Sequence, residues 1–179
     1  MKKMVSLLGL MLFFFGSMGT AMSEAPLPVV SAVDLKRYLG KWYEIARYPA
    51  WFQKGCVGST AHYSLLDDGK IQVINRCYKD SLDGAMKESK GKAEVVDTTT
   101  NAKLKVWFFW PFKGNYWIID LSPDYQWAVV GEPTRKYLWI LSRTPVMDET
   151  VYQRILARLP GKGYDPDKLT TSEQAATIQ

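Results

Sequence analysis

The stretch GKWYEIAR, Gly40–Arg47, decides the fold. Alternation along this stretch, taken as a strand, gives two faces that both carry apolar groups: Trp42, Glu44 and Ala46 on one, Tyr43 and Ile45 on the other. Both faces are therefore predicted to be covered. A strand covered on both sides fits a small closed barrel, in which one face looks inward and the other lies beneath a helix.

The N-terminal residues predict a cleaved secretory signal. Lys2 and Lys3 precede an apolar run, residues 5–16, that is too short for a comfortable transmembrane span. Cleavage is expected after Ala21 or, alternatively, after Ser23. Of the 23 basic residues the cut after Ala21 removes two, and all 18 acidic residues stay, so the mature charge is +3. This mild excess gives no argument for nucleic-acid binding.

Eight strands follow in sequence, and short loops join them without an intervening helical pattern. This order predicts an all-β, eight-stranded, antiparallel up-and-down barrel. The predicted strands start at Gly40 and continue over residues 58–66, 70–78, 86–97, 104–110, 115–121, 125–131 and 136–142.

Two hairpins have a predicted register. Folding the chain about Phe112 pairs Trp107 with Trp117, Val106 with Ile118 and Phe108 with Tyr116. In the last hairpin the same reasoning pairs Trp127 with Trp139, Val129 with Tyr137 and Ala128 with Leu138. The outward Trp107–Trp117 pair is expected either to lie beneath the helix or tail or to form a homodimer patch.

A single helix is predicted late in the chain, over residues 148–159. Asp148 is its expected N-cap, Pro160-Gly161 ends it, and an apolar stripe faces the outside of the barrel: Val151, Tyr152, Ile155 and Leu159. The predicted organisation is an extended segment at 22–33, the barrel with its helix at 34–170, and a flexible tail at 171–179.

Cys56 and Cys77 are the only cysteines, and export makes a disulfide between them possible. They flank a hairpin centred on Asp68-Gly69, but simple pairing about that turn does not set them opposite each other. A bulge or bend is needed for the bond. The alternative is two buried free thiols.

Three motifs resemble the signatures of the lipocalin family: Gly40-x-Trp42, Pro123-Asp124-Tyr125 before the seventh strand, and Arg143 after the eighth. The stretches at 42–47 and 137–145 are similar to the branch that contains bacterial lipocalins and apolipoprotein D. The resemblance implies a calyx whose closed end is plugged by Trp42, with Arg143 lying across the indole. Pro123 departs from the residues often seen there, and no cysteine near the cleavage site could carry a lipid anchor.

Catalysis is not expected, and no metal or cofactor site is predicted. His62 is the only histidine, and its position in the alternation puts it on the solvent face. No nucleophile elbow, phosphate loop or zinc-protease motif is present. A membrane-spanning barrel is disfavoured because charged side chains such as Lys90, Lys92 and Lys105 point outward.

Binding of a lipid is the predicted function. The inward faces are expected to surround one small ligand, although the same side chains could fill the lumen as core. The predicted lining is Glu44, Ala61, Tyr63, Val73, Val106, Phe108, Tyr116, Ile118, Trp127, Tyr137 and Trp139. Glu44 is expected to pair with Arg47 or another base. Tyr116 and Tyr137 are candidates to bind a polar head.

The resemblance and this lining together favour a carrier or store of a fatty acid or lysophospholipid in the periplasm or at the outer membrane. The alternative is a lipocalin-fold enzyme or carrier for an isoprenoid, carotenoid or other small hydrophobic molecule. At the barrel mouth, aromatic side chains beside bases predict contact with a membrane surface: Trp51, Phe52, Trp110 and Phe112. Ordinary loop packing is the competing interpretation.

Overall fold

The computed structural model describes residues 26–109 and 111–175. The predicted signal peptide with both cleavage positions, Trp110, and residues 176–179 lie outside the described residues. Within the described part, nine antiparallel strands form one sheet, in which the second to the eighth strand lie in chain order and are followed by the first and the ninth. An additional pairing between the first and second strands closes the sheet into a barrel. The predicted eight-stranded barrel is confirmed.

The strands run up and down in chain order, and short segments join them. One helical turn, α1 at Leu35–Tyr38, precedes them, and a helix, α2 at Glu149–Arg158, follows β8. The strands are β1 Gly40–Arg47, β2 Cys56–Leu65, β3 Ile71–Lys79, β4 Met86–Val95, β5 Lys103–Phe109, β6 Phe112–Leu121, β7 Trp127–Gly131, β8 Leu138–Ser142 and β9 Thr170–Thr171.

Two apolar clusters lie on the two sides of the barrel wall. The inner cluster fills the closed end and includes Trp42, Tyr63, Val73 and Ile118. The outer cluster lies beneath α2, where Ile155 and Leu159 pack against the outward residues of β6–β8 and β1. The predicted helix is confirmed, with the Asp148 carboxylate accepting a hydrogen bond from the Val151 amide at its N-terminus.

The predicted bulge brings the two cysteines together. The β2–β3 register shifts between Val57 and Thr60, and Gly58 has a φ of +60° at that point, a backbone conformation that glycine adopts readily. Cys56 and Cys77 form a disulfide across a Cα–Cα distance of 5.4 Å. The bond ties β2 to β3 at the open end of the barrel.

The predicted register of the β5–β6 hairpin is wrong. The turn lies between Phe109 and Phe112, which pair with each other, so Val106 is opposite Gly114 and Leu104 is opposite Tyr116. Pro111 explains the shift, because proline favours a turn and cannot donate a hydrogen bond to a ladder.

Trp107 and Trp117 are consequently not a pair. Trp107 is opposite Lys92 of β4, whereas Trp117 is opposite Lys103 and packs against the outer cluster.

The predicted register of the β7–β8 hairpin is also wrong, by three residues. Trp127 is opposite Ser142, and Val130 rather than Trp127 is opposite Trp139. The loop between the strands is wider than expected because the Glu132 carboxylate binds the amides of Thr134 and Lys136. A register shift by an odd number of residues moves every side chain of a strand to the opposite face of the sheet.

The reversal of β7 moves four side chains to the other side of the wall. Trp127 and Val129, predicted to face inward, belong to the outer cluster. Ala128 and Val130, predicted to face outward, are buried in the inner cluster. A further shift between Glu44 and Ala46 in β1 places Ala46 in the outer cluster as well, against the prediction from strict alternation.

The C-terminal segment is bound to the barrel wall as far as Gln174. Thr170 and Thr171 pair with Arg47 and Ala46. They occupy the edge of β1 that pairs with β2 nearer the closed end of the barrel. The Ser172 amide then donates to Ile45, and the Gly58 amide of β2 donates to the Glu173 carbonyl. Residues 170–174, here called the seam strap, therefore fill the gap where β1 and β2 diverge.

Candidate functional site

The closed end of the barrel is sealed by a fully buried tryptophan. Trp42 has no exposed surface, and its indole Nε1 donates a 2.8 Å hydrogen bond to the carbonyl of Tyr38 in α1. The Asp34 carboxylate caps α1 by accepting from the amides of Lys36 and Arg37. The capped turn thus lies across the base of the barrel and holds the indole in place.

Arg143 covers the outer side of the same indole, as the family resemblance implied. Its guanidinium carbon lies 3.7 Å from the centre of the Trp42 ring. The guanidinium also donates to the carbonyls of Lys41 at 2.8 Å and Arg37 at 2.6 Å. Arg143 therefore links three parts of the chain that meet at the closed end, namely β1, α1 and the end of β8.

The second signature completes this end. The Asp34 amide donates a 2.8 Å hydrogen bond to the hydroxyl of Tyr125, and the Arg37 guanidinium lies 4.1 Å from the Tyr125 ring. The Asp124 carboxylate accepts a hydrogen bond from the Gln126 amide. Hydrogen bonding, chiefly from the Ser122 side chain, lowers the pKa of the Asp124 carboxyl. These contacts fix the turn between β6 and β7 against α1.

Three tyrosine hydroxyls meet inside the barrel above Trp42. The hydroxyl of Tyr116 lies 2.8 Å from that of Tyr38 and 3.0 Å from that of Tyr63. Burial raises the pKa of Tyr63 to about 12 and raises that of Tyr38 and Tyr116 as well. The Tyr116 hydroxyl is therefore engaged by two neighbours, and the half-exposed Tyr137 is the better placed of the two predicted head-group donors.

Glu44 is buried at the edge of the lumen with a complete set of partners. It pairs with Arg47, as predicted, and accepts hydrogen bonds from Gln53 Nε2 at 2.7 Å and from the Ser172 hydroxyl. The side-chain oxygen of Gln53 in turn accepts a 2.9 Å hydrogen bond from Trp139 Nε1. The carboxylate thus joins β1, the loop that follows it, β8 and the seam strap.

The predicted lining residues fall into groups at different depths. Tyr63, Val73 and Ile118 are buried among the side chains that fill the closed end. Four others pack on that cluster and remain half-buried: Ala61, Val106, Phe108 and Trp139. Trp127 lies outside the barrel, where the Arg158 guanidinium is 5.2 Å from its ring. For the residues that face inward, a role in ligand binding stays a prediction.

The upper part of the inner wall is accessible to solvent. Asn75 and Ser89 are cross-strand partners on the inward face, next to the pair formed by buried Val73 and half-buried Gly91, yet both are exposed. Phe108 contributes a half-exposed aromatic surface at the same side of the lumen. The barrel is thus filled at one end and open at the other.

Large apolar side chains are exposed around the open end. The exposed fractions are 81% for Trp51, 50% for Phe52, and 79% for both Phe109 and Phe112. Phe52 also contacts Tyr137, whose ring stacks on Trp139 at 5.9 Å. An aromatic surface therefore continues from the rim to the inner wall on the β8 side.

Sequence reasoning missed four residues of this arrangement: Tyr38, Gln53, Ser172 and Gln174. Tyr38 lies in the helical turn before the first predicted strand, and Gln53 lies in the loop between the first and second strands. Gln174 donates to the carbonyls of Glu44 and Ser59 across the gap between β1 and β2. An unpaired carboxylate at Glu44 was the only sequence signal that additional polar partners were needed.

His62 is exposed on the outer face, as predicted. Across residues 26–109 and 111–175, no cluster of three or more His, Cys, Asp or Glu side chains is arranged to hold a metal ion. In the same part of the chain no helix is long and apolar enough to cross a bilayer.

Comparison with known proteins agrees with the three signature contacts. A family model described as "Lipocalin-like domain" matches residues 33–174. The chain belongs to the lipocalin family. The outer membrane lipoprotein Blc of Escherichia coli K12 is 47% identical to this lipocalin over 146 residues, which are 82% of each chain.

More distant relatives show how widely the fold is shared. Mouse apolipoprotein D is 38% identical over 159 residues, covering 83% of this chain and 80% of its own. Insecticyanin from the tobacco hornworm Manduca sexta has the same fold, with a TM-score of 0.66 at 20% identity and coverage of 86% and 90% of the two chains. Lipocalins are mainly binding and transport proteins.

Proposed function

We propose that this lipocalin binds one fatty acid or lysophospholipid and stores or carries it in the bacterial envelope for membrane maintenance. One observation supports this proposal most strongly. The base of the closed barrel is sealed by Trp42, while inward side chains nearer the mouth, such as Phe108 and Trp139, remain solvent-accessible. A barrel of eight strands is wide enough to hold one small ligand where its own side chains do not fill it.

The chemistry of the wall favours an acyl chain. Val106, Phe108 and Trp139 offer apolar surface without an unpaired charge. Each methylene buried against such a wall contributes about 0.8 kcal/mol. The polar head would lie at the mouth, where Tyr137 is half-exposed and Lys136 lies over its ring.

The envelope location is supported by the relatives and by the predicted signal. The similar E. coli protein is described as an outer membrane lipoprotein. We further propose that the rim, defined as Trp51, Phe52 and Phe112 together with the predicted Trp110, touches the membrane when lipid is exchanged, since exposed aromatic side chains favour a headgroup interface.

Ligand binding is tested on delipidated protein with fluorescent fatty acids and lysophospholipids. We expect dissociation constants in the micromolar range or tighter. Val106→Trp adds bulk on the inner wall and should weaken binding at least about ten-fold, the equivalent of ~1.4 kcal/mol. His62→Trp adds the same bulk on the exposed outer face and should leave the affinity unchanged.

Circular dichroism and thermal unfolding confirm first that both variants fold. Absence of binding by the unmodified protein would overturn the proposal. Equal loss of affinity in the two variants would show that the probe binds outside the lumen.

A further inference from the structure

The outer face of β4–β6 carries a strong excess of positive charge. Five lysines on this face are here called the basic wall: Lys90, Lys92, Lys103, Lys105 and Lys113. Two carboxylates on these strands share the face, Glu88 and Glu94, and two more lie at its closed-end edge. Asp68 is 3.9 Å from Lys92. Hydrogen bonding from Thr100 and, to a smaller extent, the charge of Lys103 lower the pKa of Asp97. The full chain has a net charge of +5, so much of its excess is concentrated here.

The carboxylates on this face are already paired. Glu88 binds Arg76 at 2.7 Å and Lys90 at 3.3 Å, and Glu94 binds Lys113. Within the described residues, neither Lys103 nor Lys105 makes an ion pair with a carboxylate, and Lys92 reaches only Asp68 at 3.9 Å. Lys103 and Lys105 are thus free of an ion pair in the described residues, and Lys92 has only a long one, so an external anion can reach these three.

Two outward indoles, Trp107 and Trp117, lie beside these lysines. The Lys103 ammonium is 4.7 Å from the Trp117 ring centre, and the Lys113 ammonium is 4.6 Å from that of Trp107. Such stacking holds the aliphatic part of each lysine against an indole and keeps the ammonium at the surface. The result is a flat surface of amphipathic side chains.

The tip of the same hairpin is apolar. β5 ends at Phe109 and β6 starts at Phe112, each 79% exposed. This arrangement is complementary to a bilayer, in which anionic headgroups lie above hydrocarbon: the lysines and indoles suit the headgroups, and the apolar tip suits the layer beneath them. A nucleic acid would not use the apolar tip, and the net positive charge of the wall disfavours a second copy of this chain on the same face.

We infer that the basic wall is a docking surface for an anionic phospholipid bilayer, which the barrel contacts with its β4–β6 side while the β5–β6 tip enters the headgroup layer. This inference rests on the proposed membrane contact of the rim and adds to it a lipid charge preference and an orientation. The lumen stays free to exchange its ligand at the membrane.

Vesicle co-sedimentation tests the docking surface. Vesicles of phosphatidylcholine alone are compared with vesicles that also contain phosphatidylglycerol, for the unmodified protein and for Lys92→Gln/Lys103→Gln/Lys105→Gln. Each lysine near an anionic surface raises the binding affinity about five-fold. The triple variant should therefore lose about 100-fold in affinity for anionic vesicles. The loss should shrink as salt is added.

A control variant with the same net charge separates the wall from overall charge. Lys36→Gln/Arg154→Gln/Lys168→Gln changes three exposed cations that lie outside the wall, and it should bind anionic vesicles nearly as well as the unmodified protein. A polarity-sensitive fluorophore at Asn115→Cys, opposite Lys105, should shift to the blue on anionic vesicles. The same fluorophore at Gln153→Cys on α2 should not.

Equal affinities of the two triple variants, or equal binding of neutral and anionic vesicles, would overturn the inference. Binding to heparin with no binding to vesicles would assign the wall to a soluble polyanion and overturn it as well. Trp51→Ala/Phe52→Ala changes the rim outside the β5–β6 tip and should reduce binding to both kinds of vesicle, which tests the rim separately. Fatty-acid binding, measured alongside, reports on the lumen independently of both surfaces.

Discussion

The two ends of the barrel use aromatic side chains in opposite ways. At the closed end Trp42 is fully buried: its indole nitrogen donates to the Tyr38 carbonyl, and its ring contacts the Tyr38 ring and the Arg143 guanidinium. At the open end Trp51 is 81% exposed and contacts little besides the Phe52 ring. The same residue type therefore supplies stability in one place and a contact surface in the other, and only its surroundings decide which.

The largest expected difference between the ends is in the free energy of unfolding. Trp42→Ala should cost about 3–5 kcal/mol, because a large buried side chain is lost and a cavity remains. Trp51→Ala should change stability by no more than about 0.5 kcal/mol, since the ring is exposed and contacts little besides the Phe52 ring. Chemical denaturation of the two variants measures both values, and similar losses would contradict the division between the ends.

A smaller loss is expected where the arginine lies across the indole. Arg143→Lys keeps the charge, but an ammonium cannot bind the spread carbonyls of Arg37, Lys41 and Tyr125 at once. We expect a loss of about 2–3 kcal/mol, the usual range for hydrogen bonds to a charged group. Lys136→Gln at the open end is the matched control and should be near neutral in the same denaturation assay.

The smallest effect concerns the pH dependence of stability. A tyrosine in the unfolded chain ionises near pH 10, whereas burial keeps folded Tyr63 protonated up to about 12. The folded state thus binds more protons in this window, so the contribution of Tyr63 to stability is complete below pH 10 and is lost as the pH rises to 12. Unfolding followed across this range should show a shallower decline for Tyr63→Phe than for Tyr137→Phe, which is half-exposed. Parallel declines would show that the lumen tyrosines are not insulated from solvent.

The signatures and the disulfide could be predicted because local patterns determine them. Alternation along β1 predicts a strand covered on both sides, and the family resemblance of Gly40-x-Trp42 and Arg143 implies their place at the closed end. Cys56 and Cys77 were paired once a bulge was allowed, and Gly58 is the residue that permits it.

The registers of the last hairpins could not be predicted from symmetric pairing of aromatics. Pro111 shortened one turn, and the hydrogen bonds of the Glu132 carboxylate widened another loop, so Trp127 was assigned to the wrong side of the wall. Turn geometry outweighed cross-strand preference in both cases. The partners of Glu44 were missed for a different reason, since Ser172 lies 128 positions away and no local pattern connects the two.

The seam strap has a consequence for how the molecule folds. Its contacts with Glu44 and Ser59 span 130 and 115 positions, whereas each hairpin of the wall can form from neighbouring residues. Joining such distant parts is slow because the chain between them must first be ordered. The cylinder is therefore expected to close last at this one line, and until then β1 and β2 present unpaired edges through which two folding molecules could exchange straps.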